Sequence, residues 1–502
     1  MRALAIDQGT SATKAIVLDD EAGVLADVDV PVTGLAYHGD AVEQDPEALW
    51  ESVVNAGRAA LAAVVDSGVN VDGVGVGNQG ETVLAWRRST GAPLTPAMVW
   101  QDRRAGSVTD ARRAHATQLQ EITGLPLDPY FAAPKMTWLS EHLLDDAQRN
   151  DPDVVVSTID AWVLHRLTGR YVTDAATASR TLLLDLADLK WSPVACDVFG
   201  ITPATLPEIV GCDAPIGSTT AFGPELPVSG AIVDQQAALF AQGCRSPGEA
   251  KCTYGTGAFL LATLGAKPTA STSGLATSVA WVLGADRERA YCVDGQVYTV
   301  GAAVRWLERL GIIAGPADLD SIGATVRTTD GVQFVPSLAG VGAPDWEPQA
   351  RGAFFGLSLA TTRAHLARAV GEGIAAQVAG LVRAIEHDLG IRLQALRVDG
   401  GLTRSRLVMQ AQADLLGIPV EVYPHPCATA IGVAALALRG VAALALRGVA
   451  GSDRPGLVRA DLVTTDWTPT QVYEPLISRD EADERFSAWD AVYRATLDSG
   501  AD

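Results

Sequence analysis

Cysteine is scarce in this chain. Six occur in 502 residues, at positions 196, 212, 244, 252, 292 and 427, and no two are spaced Cys-x-x-Cys. That excludes a disulfide-stapled scaffold and leaves a reduced, cytoplasmic protein as the expectation. Positive charge is also short: Lys and Arg total 38 against 59 Asp and Glu, a net charge of −21. Nothing overall would attract a phosphate polymer, so neither nucleic acid nor an anionic membrane is expected as a partner. Long uncharged apolar runs are missing. The most apolar stretch, 430–450, contains Arg439 and Arg447, and a charge at a bilayer centre is costly. Asp7 interrupts the first apolar run, so no secretory leader is expected. Three signatures are absent as well. There is no Gly-x4-Gly-Lys-Ser/Thr loop, no Gly-x-Gly-x-x-Gly after a strand, and no His-Glu-x-x-His. P-loop, dinucleotide-binding and zincin chemistry are thereby disfavoured.

What the chain does contain is a repeated kind of turn. Residues 4–11 read Leu-Ala-Ile-Asp-Gln-Gly-Thr-Ser, and residues 253–259 read Thr-Tyr-Gly-Thr-Gly-Ala-Phe. Each is a β-rich run turning through Gly and hydroxyl residues, which exposes the N–H and O–H donors that a phosphate needs. Two such turns so far apart suggest two lobes closing on one polyphosphate. Length agrees, because 502 residues exceed one ordinary core.

The patterning is mixed α/β. Strands are expected at 3–6, 15–18, 24–30 and 71–76, with a helix at 46–65 whose apolar residues recur at helical spacing (Leu49, Val53, Ala56, Ala60, Val64). A Pro- and Gly-rich loop at 203–227 precedes a second series: strands at 250–254, 291–293 and 395–398, and helices at 362–389 and from 405. The expected domains are 1–245 and 246–502. One repeat is literal, since 433–440 and 441–448 both read VAALALRG. Eight residues do not restore the same helix face, so the second copy is expected to loop out or fray.

Three carboxylates sit where chemistry could use them. Asp7 ends a strand before Gly9 and could serve a Mg²⁺ ion beside phosphates, or simply cap a turn. Asp234 stands between an apolar run and an Ala-rich helix. It could accept the proton of a substrate hydroxyl, or be an N-cap. Asp399-Gly400-Gly401 joins a strand to a helix and would let a ligand approach the backbone, as any tight turn would. Thr10 and Ser11 offer hydroxyls, and Lys14 offers charge.

Together these residues resemble the FGGY carbohydrate kinases, nearest their glycerol-kinase-like subgroup. The likeness spans nearly the whole chain. It is carried by 7–10 (DQGT), 78–82 (NQGET), 99–104 (VWQDRR), 128–131 (DPYF), 234–240 (DQQAALF), 254–257 (YGTG), 342–346 (GAPDW), 351–357 (RGAFFGL) and 398–401 (VDGG). The resemblance implies two ribonuclease-H-like, actin-like ATPase domains with a hinged interdomain cleft. It implies an ATP- and Mg²⁺-dependent kinase for a small polyol or sugar, assembled as a homodimer or homotetramer. Asp234 would be the catalytic base. Gly80, Glu81, Trp100, Tyr130, Asp234, Gln235 and Phe259 would line the substrate. Thr10, Ser11, Lys14, Thr256, Gly301, Arg305, Gly401 and Ser405 would meet ATP, and Asp7 the metal. The alternatives are a ketose kinase of the xylulokinase type and a non-catalytic, sugar-sensing relative.

Two departures stand out. Where that subgroup carries Arg, this chain has Gly80, which offers no donor and leaves room for a substrate of about four or five carbons. Arg103 or water could instead fill the gap. The stretch 221–227 (AFGPELP) lacks the Arg that a sugar-bisphosphate inhibitor would need, so such inhibition is not expected.

Overall fold

The computed structural model describes residues 1–65, 68–284, 286–448 and 467–498. Two twisted sheets organise them. The first runs, in spatial order, Gly217–Thr219, Leu226–Val233, Gly73–Asn78, Arg2–Gln8, Ala12–Asp19 and Gly23–Pro31. Its three central strands are parallel and almost wholly buried, as their apolar runs require. The helix Pro46–Val65 covers the sheet with Leu49, Val53, Ala56, Ala60 and Val64. By length and composition that helix could also cross a membrane, but this apolar stripe is spent on the core.

The second sheet runs Ala276–Leu283, Glu288–Val297, Ala258–Gly265, Ala250–Tyr254, Leu396–Asp399, Val420–Val422 and Gln471–Tyr473. The 27-residue helix Arg363–Leu389 packs on it through Val370, Ile374, Val378 and Ile385. The supposed loop at 203–227 holds the short strands Glu208–Val210 and Gly217–Thr219 and the start of Leu226–Val233. A further five-stranded sheet, built around Val83–Arg87 and Val154–Thr158, flanks the first lobe and was not foreseen.

Two helices bridge the lobes. Asp234–Ala241 and Ala428–Gly448 share one apolar cluster with Ala3, Ala5 and Ile232 of the first sheet and Leu261, Trp281 and Cys292 of the second. The strand Gly73–Asn78 alternates Gly and Val so that the second of these helices can approach its backbone. A Cβ on Gly75 would lie 2.7 Å from the Val433 carbonyl oxygen and 3.0 Å from Ala437 Cβ. The repeated octapeptide corrects an expectation here. Its second copy stays helical to Gly448, with Ala442 buried and Val441 set against Gly73. Positions 433, 437 and 441 form one i, i+4, i+8 row, which eight residues do continue.

Candidate functional site

Parallel strands deliver their C-terminal ends to a common edge. In the first sheet Gln8 pairs with Asn78, and Asn78 with Val233. The residues just beyond, Gly9 to Ser11, Gln79 to Glu81, and Asp234 with Gln235, therefore converge. The second sheet places Thr253 opposite Asp399, which brings 253–257 and 399–401 to the facing edge. Ligands gather in such crevices at strand ends.

A cavity of about 260 Å³ lies between these edges. Of the sequence-predicted residues it is lined by Thr10, Ser11, Gly80, Glu81, Trp100, Tyr130, Asp234, Gln235, Thr256 and Phe259. Trp100 packs edge-on to both Tyr130 and Phe259, with ring centroids 6.0 and 5.8 Å away, and so forms an aromatic wall. Thr10 is fixed from both sides. Its hydroxyl donates to Gln79 Oε1 at 2.7 Å and accepts from Trp100 Nε1 at 3.0 Å. Tyr130 is held by Lys135, a buried ammonium that donates to the carbonyls of Pro129, Tyr130 and Phe131. Glu81 adopts φ 56°, a left-handed conformation uncommon for a non-glycine residue and characteristic of sites under functional constraint.

A second cavity of about 370 Å³ shares Trp100, Tyr130 and Thr256 with the first and adds Arg305. Gly301 starts the helix Gly301–Arg309, and its N–H donates to the Gly255 carbonyl at 3.1 Å. Ser405 caps the helix Arg406–Leu416 and donates its hydroxyl to Asp320. The turn before it is tight: a Cβ on Gly400, at φ 96°, would sit 2.5 Å from the Tyr254 carbonyl. Gly301, Gly401, Ser405 and Lys14 do not line either cavity. Lys14 is engaged elsewhere, by Asp27 at 2.8 Å and Asp29 at 2.9 Å on the adjoining strand.

The electrostatics at the edge are those of crowded carboxylates. Burial, and then the neighbouring Asp234, push the Asp7 carboxyl up to about 7. Asp234 is raised by burial and drawn back by Lys251. Such a pair favours a cation, so the donors present fit Mg²⁺. Among the described residues no group of three or more His, Cys, Asp or Glu side chains gathers to hold an ion unaided, so phosphate oxygens would have to complete its shell.

Sequence reasoning missed three buried cations, Lys135, Arg180 and Lys251. Arg180 lines the first cavity and bridges two lobes, its Nε 2.6 Å from Glu81 and a terminal nitrogen 2.5 Å from Asp294. Arg103 does not stand in for the missing Arg at position 80. It lines the second cavity and donates to the Ala339 carbonyl at 3.4 Å. Lys251, fully buried, donates to Gln235 Oε1 at 2.6 Å. The available signals were a lone Arg before Thr181-Leu182-Leu183-Leu184 and a Lys inside the strand 250–254.

A two-lobed fold with a polar crevice between paired sheets and a carboxylate facing a small cavity defines a phosphotransferase of the actin-like ATPase type. Known proteins narrow this. The N-terminal domain of the FGGY family of carbohydrate kinases matches residues 2–241, and its C-terminal domain matches 250–441. Glycerol kinase from Alkalilimnicola ehrlichii is 41% identical over 98% of this chain and 97% of its own. Glycerol kinase from Myxococcus xanthus is 38% identical over 98% and 99%. The crystal structure of Plasmodium falciparum glycerol kinase with ADP superposes with a TM-score of 0.87 at 31% identity, over 99% and 98% of the two chains. Xylulose kinase from Rhodospirillum rubrum shares the fold, with a TM-score of 0.84 at 24% identity over the whole of both chains. The chain belongs to the FGGY family of carbohydrate kinases, and it is a carbohydrate or polyol kinase.

Proposed function

We propose that this kinase transfers the γ-phosphoryl group of ATP to a terminal hydroxyl of glycerol or of a related polyol of about four or five carbons. The observation that carries the proposal is one cavity lined together by Asp234, by Glu81, Tyr130 and Gln235, and by Thr10, Ser11 and Thr256. Asp234 accepts the proton of the attacking hydroxyl. Glu81, Tyr130 and Gln235 hold the remaining hydroxyls, and Trp100 with Phe259 flanks the carbon chain. The turns at Thr10, Ser11 and Thr256 receive phosphate oxygens, with Gly301, Arg305, Gly401 and Ser405 around the nucleotide. Asp7 would hold Mg²⁺, which when bound neutralises charge on the transferring phosphoryl group.

Relatives that bear the name glycerol kinase support the triol. Position 80 supports the longer substrate: a Cβ there would meet Val233 Cγ2 at 3.1 Å and nothing else within 4 Å. Six unpaired, buried cysteines support a cytoplasmic setting. An ATP-coupled panel of polyols and ketoses tests the acceptor. A four- or five-carbon polyol is expected to match or exceed glycerol in kcat/KM, and glycerol clearly on top would restrict the function to glycerol. Asp234→Asn is expected to lower kcat by roughly 10²–10⁴-fold while calorimetry still shows ADP binding. Unchanged turnover would remove Asp234 from the chemistry.

A further inference from the structure

Lys251 has no part in the reaction as derived above, yet it is fully buried at the junction of the two lobes. A buried ammonium is expensive and is retained where its hydrogen bonds do something specific. Its strand, Ala250–Tyr254, belongs to the second sheet. Its Nζ donates to Gln235 Oε1 at 2.6 Å, in the helix that starts at Asp234 in the first lobe, and to Thr253 Oγ1 at 3.0 Å. Thr253 in turn donates its hydroxyl to Asp399 Oδ1 at 2.6 Å, across the parallel register that pairs the two residues.

The consequence is chemical. An ammonium has donors only, so the atom of Gln235 that meets it must be the carboxamide oxygen. The amide NH₂ is then turned toward the Asp234 carboxyl, which it helps draw down, and toward the cavity that both residues line. A free glutamine could present either end to a polyol hydroxyl; one tied to Lys251 presents only a donor. The geometry points to Lys251 as a positioning residue that fixes the Gln235 carboxamide, so that the site selects a substrate oxygen able to accept a hydrogen bond there. The Thr253–Asp399 link anchors the ammonium on the side of the nucleotide turn, so that it cannot swing away with the helix.

The role deepens the kinase reading and requires the acceptor to sit beside Gln235. Lys251→Met, Gln235→Leu and the double variant are compared with the parent, using the best acceptor from the panel and its analogues that lack one hydroxyl each. Lys251→Met is expected to raise the acceptor KM about tenfold, with ATP KM and ADP affinity changed less than about threefold. It is also expected to shrink the preference over one deoxy analogue. In the double variant the effect should be no larger than in Gln235→Leu alone, since both remove the same contact. Additive losses, or equal rises in both KM values, would overturn the proposal and leave Lys251 as packing. Should Lys251→Met fail to fold, Lys251→Leu, which likewise removes the donor, serves in the same cycle under the same criteria. If Gln235→Leu alone leaves the acceptor KM unchanged while Asp234→Asn is inactive, the orientation role fails and the kinase reading stands. If Asp234→Asn is fully active, the placement of the acceptor itself fails.

Discussion

Asp7 shows what this site costs at the scale of a residue. Its carboxyl is pushed up to about 7 by burial and by Asp234, against 3.8 for a free side chain. Between those values the folded chain keeps a proton that the unfolded chain gives up. Its contribution to stability is therefore greatest at low pH and falls as pH rises from about 4 to 7. Asp7→Asn removes that liability. Without metal or nucleotide, the variant should be more stable than the parent at pH 8, by on the order of a few kcal/mol and so with a higher melting temperature, and should melt nearly with it at pH 4. Activity should fall at the same time. A lower melting temperature at pH 8 would show that Asp7 stabilises the fold. Asp7, Asp234 and Thr256 could be found by eye because each stands at or just beyond a strand end beside Gly or Gln. Arg180 and Lys251 could not, because their partners lie 99, 114 and 16 residues away, and only folding brings them together.

At the scale of an element, the helix Ala428–Gly448 is the instructive case. Like residues of the two octapeptide copies do lie about 80° apart around a helix at 3.6 residues per turn. An apolar stripe about 100° wide tolerates that offset, so Val441 continues the row of Val433 and Ala437 onto Gly73. Val441→Asp is expected to destabilise by about 1–3 kcal/mol, read by urea melts. Deleting 441–448 should nonetheless be nearly neutral in melting temperature and activity. The chain after Gly440 would then read Val449-Ala450, the same two residues that begin the deleted copy. A large loss on deletion would mean that the later residues of the copy are needed. The long helices were legible from periodicity and the central strands from their apolar runs. The flanking strand Val83–Arg87 was not, because four buried residues are too short a run to tell a strand from a buried helical turn.

At the scale of the whole molecule, function depends on how two lobes meet. We propose a division near residue 245, although the helix Ala428–Gly448 packs back against the first sheet. Arg103 reaches across the cleft mouth to Ala339. Closure of such a cleft keeps water away from the phosphoryl group. Arg103→Ala is expected to raise ATP hydrolysis measured without acceptor several-fold relative to polyol phosphorylation. An unchanged ratio would show that this contact does not guard the cleft. The sequence by itself determined the α/β class, the two Gly- and hydroxyl-bearing turns and half of the residues lining the first cavity, because strand ends, glycines and hydroxyls act locally. Only the tertiary structure decided that Arg180 bridges Glu81 and Asp294, that Lys251 holds Gln235, and that Lys14 is drawn to Asp27 and Asp29. Those choices follow from Coulomb attraction and hydrogen bonding between groups that become neighbours only once both sheets are assembled.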